Sequence, residues 1–231
     1  MKFGSNTIDY YSYYDVNTFL RIENLHQRIS KSYMDLDLLN AAVFWLTNVE
    51  RRRFNMKKFE FHAKLKQTAV WHSELMKVHD FFDHNNPFDA RYRTTGNRID
   101  SVKDRDFRGF ISWGENIADY PTIKANEFFT VEYKNGIARL FSTASKREIL
   151  PYTHYEFAQN VVEGWMNSPG HRRNILCPDF QYLGCGCAKY ERKSNEYSMI
   201  YFKLTQNFGG ELVSDNLWCG IVNKIGDFWR V

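Results

Sequence analysis

The sequence predicts an α+β domain, an antiparallel sheet packed against helices, on three observations. Apolar residues recur at helical spacing in several segments, two strand pairs are marked by turn chemistry, and no βαβ rhythm repeats. Residues 1 to about 33 are rich in Tyr and Asn and only weakly periodic, which reads as an extended arm or a short helix. MDLDLLNAAVFWLTNVERRRF then sets Leu38, Leu39, Ala42, Val43, Leu46 and Val49 on one helix face, with Asp35 or Asp37 suited to the first turn. Arg51, Arg52 and Arg53 end it, where cations complement the helix dipole, and read as a solvated terminus. A second helix, from about Phe59 to Val78, aligns Phe61, Leu65, Thr68, Ala69, His72, Leu75 and Met76. Asn85-Asn86-Pro87 closes the stretch after it, and residues 88 to 110 read as an irregular loop with a surplus of Arg and Asp.

The clearest local signal is FFTVEYKNGIARLFST. Its Asn135-Gly136 pair tolerates the positive φ angles of a type I′ turn, so strands are expected at about 128–133 and 137–142. Tyr155 to Met166 returns to helical spacing through Phe157, Ala158, Val161, Val162 and Trp165, and Pro169-Gly170 closes it. In YLGCGCAKYERKSNEYSMIYFKLTQNFG two strand-like runs flank the polar loop Glu191 to Glu196, a second antiparallel pair.

Composition narrows the function classes. A chain of 231 residues with 17% aromatics can bury a sizeable core, and without repeats or low-complexity linkers one domain is the simplest organisation. The net charge of +4 is small and its charges interspersed, so no nucleic-acid partner is expected. No apolar run approaches the roughly 18 residues of a membrane span. The start lacks the apolar stretch of a signal peptide, so the chain reads as cytosolic or as a mature form written without its leader. Cys177, Cys185, Cys187 and Cys219 cluster in the last quarter. They fit one or two disulfides in an oxidising compartment or free buried thiols equally well, and their spacing does not suit a CxxC zinc pair.

GxSxG, HExxH, a helix-opening GxGxxG and a Walker loop are all missing. What remains is polar residues beside tight turns: His84 in FFDH, Glu115 in WGENIA and His171 in SPGHRRNIL. Taken singly, each has a plain structural role: His84 capping the stretch before a Pro turn, Glu115 as an acid at a helix N-terminus, His171 satisfying loop carbonyls.

Taken in order, HSELMKVHDFFDH, GENIA, WMNSPGHRRNIL and YFKLTQNFG closely resemble the bacterial branch of the CAP superfamily, also called the SCP domain. The superfamily comprises cysteine-rich secretory proteins, antigen 5 and pathogenesis-related class 1 proteins. The resemblance covers about Leu36 to Gly210. It implies an arm over residues 1–35, a CAP/SCP domain over 36–210 with a hairpin insertion at about 126–145, and a C-terminal extension over 211–231. It further implies an α-β-α sandwich, a central antiparallel sheet with helices on both faces, and a cleft lined by His84, Glu115 and His171. Eukaryotic members carry a second glutamate three residues after the helix tryptophan; Ser168 stands there, so that carboxylate is absent. Glu163 is a weak substitute, projecting in another direction. His72, from the bacterial HSxxM pattern, supports the helix face beside the cleft.

Two imidazoles and a carboxylate match a three-ligand site with an open position, so His84, Glu115 and His171 could hold a divalent metal such as zinc. Without a metal, His84 and Glu115 make an acid–base pair. Nucleophilic catalysis is less well supported, since neither Ser73 nor Ser168 lies in a strained elbow. The first expectation is therefore a secreted or cell-envelope binding module for a small-molecule, lipid or protein ligand. A structural or protein-interaction domain without catalysis, and a metal-assisted hydrolase of peptide or cell-wall material, are the alternatives. The 128–142 hairpin is expected as a flap over the cleft, a partner surface or a surface decoration.

Overall fold

The computed structural model describes residues 9–124, 128–135, 137–194 and 197–211. The chain runs through a short helix α1 (Val16–Phe19), a 3-10 turn (Glu23–His26), α2 (Leu36–Arg53), β1 (Glu60–Phe61) and α3 (Ala63–Val78). A second 3-10 turn (Ala90–Tyr92), α4 (Thr95–Asp100), β2 (Ser112–Pro121), β3 (Phe129–Lys134) and β4 (Ile137–Ser142) follow. Helices α5 (His154–Asn167) and α6 (Pro169–Ile175) precede β5 (Tyr182–Lys193) and β6 (Ser198–Gly210).

The main sheet has the order β1-β5-β6-β2. Its β5–β6 and β6–β2 pairs are antiparallel and β1 joins β5 in parallel, so the sheet is mixed at one edge rather than wholly antiparallel. Helices cover both faces. On one, α3 lies so close that a Cβ on Gly184 would sit 2.0 Å from Lys66 N, and one on Gly186 2.2 Å from Val70 N. Glycine there is a requirement of helix–sheet distance. On the other face, α2 and α5 pack against residues such as Phe202, whose ring lies 5.1 Å from Phe157.

Local physics explains most element ends. Asp35 caps α2 by accepting from Leu38 N at 2.9 Å. The second predicted helix starts later than its periodicity suggests, at Ala63, because Glu60 N and His62 N instead donate to Gln181 O (2.8 Å) and Leu183 O (3.1 Å) of the neighbouring strand. The expected irregular loop at 88–110 contains α4, nucleated by a capping box between Thr94 and Asn97. Arg51 is not a solvated terminus: it is 1% exposed, lies 3.8 Å from the Phe59 ring, and donates to Lys57 O, Ile175 O and Cys177 O. Burial pushes its pKa down to about 10. Arg52 and Arg53 are the exposed pair.

The arm is helical in places and integral to the core. Tyr10, Phe19, Leu25 and Ile29 are buried among α2, α5 and sheet residues. Trp45 Nε1 donates to Tyr10 O at 3.0 Å, and the buried His154 bridges Gln27 O and Asp35 N. The hairpin of β3 and β4 forms its own two-stranded sheet, with Asn135 at a positive φ of 53°, while Gly136 lies outside the described residues. Phe129 rests on Tyr197 beside the β5–β6 turn, and no described contact joins the hairpin to His84, Glu115 or His171. Cys185 and Cys187 are free, buried thiols whose pKa burial raises; Cys177 is buried too, and Cys219 lies outside the described residues. No described helix is long and apolar enough to cross a membrane.

Two glycine substitutions separate the close-packed positions from the permissive ones. Gly186→Ala should lower stability by about 3 kcal/mol, as overpacking does. Gly170→Ala, a helical position with nothing within 4 Å of the new Cβ, should leave it unchanged or raise it by up to about 1 kcal/mol. Urea unfolding of both variants checks the contrast.

Candidate functional site

Strand alternation decides which way Glu115 points. On β2 its side chain shares the α3 face with Asn207 of β6, its register partner, while Asn116 projects to the opposite face. Its strand position replaces the helix-terminus reading. Gly114 before it makes room, since a Cβ there would sit 2.9 Å from the Phe180 ring and 3.3 Å from Asn174 Oδ1.

Glu115 is 7% exposed and accepts from three neighbouring side chains. Arg98 Nη2 reaches Oε2 at 2.6 Å and His84 Nδ1 reaches Oε1 at 3.0 Å. In the amide orientation that satisfies all its neighbours, Asn207 also donates to Oε2 at 3.0 Å while accepting from Thr68 Oγ1 and Ala69 N. Burial alone would raise the carboxyl pKa, but the Arg98 charge and the His84 hydrogen bond outweigh it and hold Glu115 well below the usual carboxylate range.

Arg98 is the residue that sequence reasoning missed. It is 0% exposed and ties the carboxylate to the preceding loop by donating to Tyr92 O (3.1 Å), Arg93 O (3.0 Å) and His84 O (3.1 Å). The available signal was the Thr94–Asn97 capping spacing, which marks a helix and turns Arg98 inward from its first turns.

The three histidines have different environments. His84, in the loop after α3, keeps a side chain 47% exposed. Burial of part of the ring opposes its protonation, but the hydrogen bond and charge of Glu115 prevail, and its pKa is raised. With Nδ1–H donating to Glu115, Nε2 is left without a partner among the described residues. His72 on α3 is 0% exposed; its Nε2 donates to Asp83 O at 3.0 Å and stands 3.7 Å from Glu115 Oε1. Burial lowers its pKa to about 4, so it is a neutral support beneath the loop.

His171 does not sit in a turn. Pro169 occupies the first position of α6, where its missing N–H costs nothing, so the break at Ser168 starts a new helix with His171 in its first turn. Asn116 Nδ2 donates to His171 O (3.2 Å), and Asn174 Nδ2 donates to Glu115 O (3.1 Å) and Asn116 Oδ1 (2.9 Å), fastening α6 to the edge of β2. The neighbouring edge carbonyl, Ile117 O, accepts from Trp165 Nε1 at 3.0 Å. His171 is partly buried, and desolvation, then the nearby His84 charge, lowers its pKa to about 4. Ser168 links α5 to α6, its hydroxyl caps neither, and no described contact joins it to Glu115; Glu163 is exposed and accepts from Gln159 Nε2.

Glu115 spends both oxygens on protein donors, and Arg98 stands where a dication on Oε2 would be repelled. No described group of three or more His, Cys, Asp or Glu side chains is arranged to hold a metal ion. What the geometry leaves open is His84 Nε2, with Glu115 behind the ring as the carboxylate that fixes its tautomer.

Residues 45–208 match the family model described as CAP: Cysteine-rich secretory protein family. Two proteins of Bacillus subtilis (strain 168) are similar: "Uncharacterized protein YkwD", 30% identical over 141 residues, and "Uncharacterized membrane protein YlbC", 29% identical over 144. Each match covers 61% of this chain but only 39% and 29% of the respective relatives, so the chain spans well under half their length. Among solved structures, an extracellular SCP-domain protein from Bacillus anthracis is 24% identical with a TM-score of 0.49, over 80% of this chain and 45% of that one. An outer surface protein from Borrelia burgdorferi is 15% identical with a TM-score of 0.46, over 81% of this chain and 99% of that one.

Removing Arg98 should expose how the carboxylate is held. Arg98→Ala leaves Glu115 buried with its main counter-charge gone, and should cost about 3–5 kcal/mol at pH 7. In the parent the depressed Glu115 pKa adds stability above the unfolded value of about 4.3, lost as pH falls below it. The variant should lack that acid-side loss. Urea unfolding at pH 7 and pH 3.5 measures both.

Proposed function

The chain belongs to the cysteine-rich secretory protein (CAP) family, and from that premise and the geometry of the cleft we propose that it is a binding module, acting outside the cell or in the cell envelope. His84 and His171 present a pair of imidazoles to a ligand or divalent metal. The observation that carries this reading is the hydrogen bond from His84 Nδ1 to Glu115 Oε1 at 3.0 Å, itself backed by Arg98 at 2.6 Å on Oε2. A half-exposed ring with one nitrogen fixed and the other free is preorganised to receive a partner, and His171 is neutral and ready as second donor. Glu115 is an orienting residue here, since an ionised carboxylate with both oxygens engaged is a poor general base. That engagement weighs against the hydrolase alternative. It also supports a structural share for the same carboxylate, which holds α4, the His84 loop and β2 together.

Zinc provides the probe. Calorimetric titration of the parent chain should show binding that weakens as pH falls through the raised His84 pKa, because a protonated ring cannot ligate. The His84→Ala, His171→Ala double variant should lose it. Equal zinc affinity in both proteins would remove the metal role from these residues.

A further inference from the structure

A groove of about 430 Å³ runs beside α6 and the end of α5, and Cys177 is part of its wall. Met166, Pro169, Leu176 and Pro178 make the rest of its apolar lining, with Arg172 and Arg173 among them. Positions 169, 172, 173 and 176 recur at helical spacing, so the groove follows one face of α6. Asn174 lies on another face and fastens the helix to β2. The cysteine end of the groove is held in place, because Arg51 Nη1 donates to Ile175 O at 2.7 Å and to Cys177 O at 3.0 Å.

The cysteines say what lies against this groove. Cys177 is disulfide-bonded, whereas Cys185 and Cys187 are free thiols. The chain has four cysteines, so Cys219 is the partner that remains within it. Cys219 belongs to the run LVSDNLWCGIVNKIGDFWRV, residues 212–231, where Leu217, Trp218, Ile221 and Val222 surround the cysteine. Burying such side chains against an apolar wall is favourable.

The described chain also ends in the right place. Gly210, the last residue of β6, lies so near Asp179 that a Cβ on it would sit 2.0 Å from Asp179 O. Glu211 N donates to Gln181 Oε1 at 2.9 Å. The chain therefore leaves the sheet beside the segment that follows Cys177. The residues from 211 to 219 can extend about 26 Å, ample to return to that cysteine. Arg172 and Arg173 have no acidic partner among the described residues, and the same run supplies Asp215 four residues before Cys219.

We propose that residues 212–231 are a strap that lies in the α5–α6 groove of its own chain, tethered by a Cys177–Cys219 disulfide. Forming the bond removes one proton and one electron from each thiol, and an oxidant of the disulfide class takes up both and is reduced to two thiols. The strap is independent of the imidazole pair and is tested without a ligand.

Peptide mapping of the full chain, unfolded without reductant, should find Cys177 joined to Cys219 while Cys185 and Cys187 react with iodoacetamide. Hydrogen exchange of the folded chain then separates a docked strap from a loose tether. In Cys219→Ser, amide exchange should rise about tenfold or more in residues 166–178 and 212–231 together, with β5 and β6 unchanged. The Leu217→Asp, Trp218→Asp double variant keeps the disulfide and should raise exchange over 166–178 as well. Cys177 reactive in the unreduced chain, or a Cys177–Cys219 bond joining two chains, would overturn the proposal. Unchanged exchange over 166–178 in both variants would overturn it too.

Discussion

The buried ion pair between Arg98 and Glu115 sets the terms for the residues around it. A carboxylate 7% exposed on the covered face of the sheet's edge strand is costly unless its oxygens are hydrogen-bonded, and its neighbours are arranged to do that. Arg98 comes from α4, His84 from the loop after α3 and Asn207 from the adjacent strand, so one carboxylate joins elements far apart in sequence. The same guanidinium also binds the carbonyls of residues 84, 92 and 93. Through it the loop that carries His84 is fixed relative to the strand that carries Glu115. A side chain on a loop gains the rigidity of the sheet, as a binding group needs.

Beneath and beside that pair, neutral polar groups do the positioning. His72 is kept uncharged by burial and supports the loop through Asp83 O. Asn116, Asn174 and Gln206 form a chain that runs from α6 across the sheet to Thr47 of α2. Asn174 and Trp165 satisfy the outward carbonyls of Glu115 and Ile117 on edge strand β2, which would otherwise be open to pairing with another chain. The motif residues thus divide their work: Glu115 holds His84 and Arg98, while Asn116 and Asn174 bind the framework.

Much of this was legible because it depends on short-range rules. Apolar periodicity located α2, α5 and the core of α3, the Asn135 turn located the hairpin, and the spaced motifs marked Glu115, His84 and His171. What escaped depends on contacts distant in sequence. The start of α3 moved because residues 60 and 61 pair with β5. Arg51 looked like a solvated cation because nothing local reveals that the carbonyls of residues 175 and 177 wait for it. Arg98 sat unnoticed in an Arg- and Asp-rich stretch that reads as an irregular loop. Its partner is 17 residues away, and only the fold brings them within 2.6 Å.

Glu115 holds His84 in one tautomer with its other nitrogen free, and the rest of the site depends on that. Ring-nitrogen NMR of His84 as a function of pH tests that most directly. The neutral ring should carry its proton on Nδ1 and titrate above the ordinary value of about 6.5, while His171 stays neutral down to about 4. A His84 protonated on Nε2 when neutral, and titrating at or below about 6.5, would contradict it.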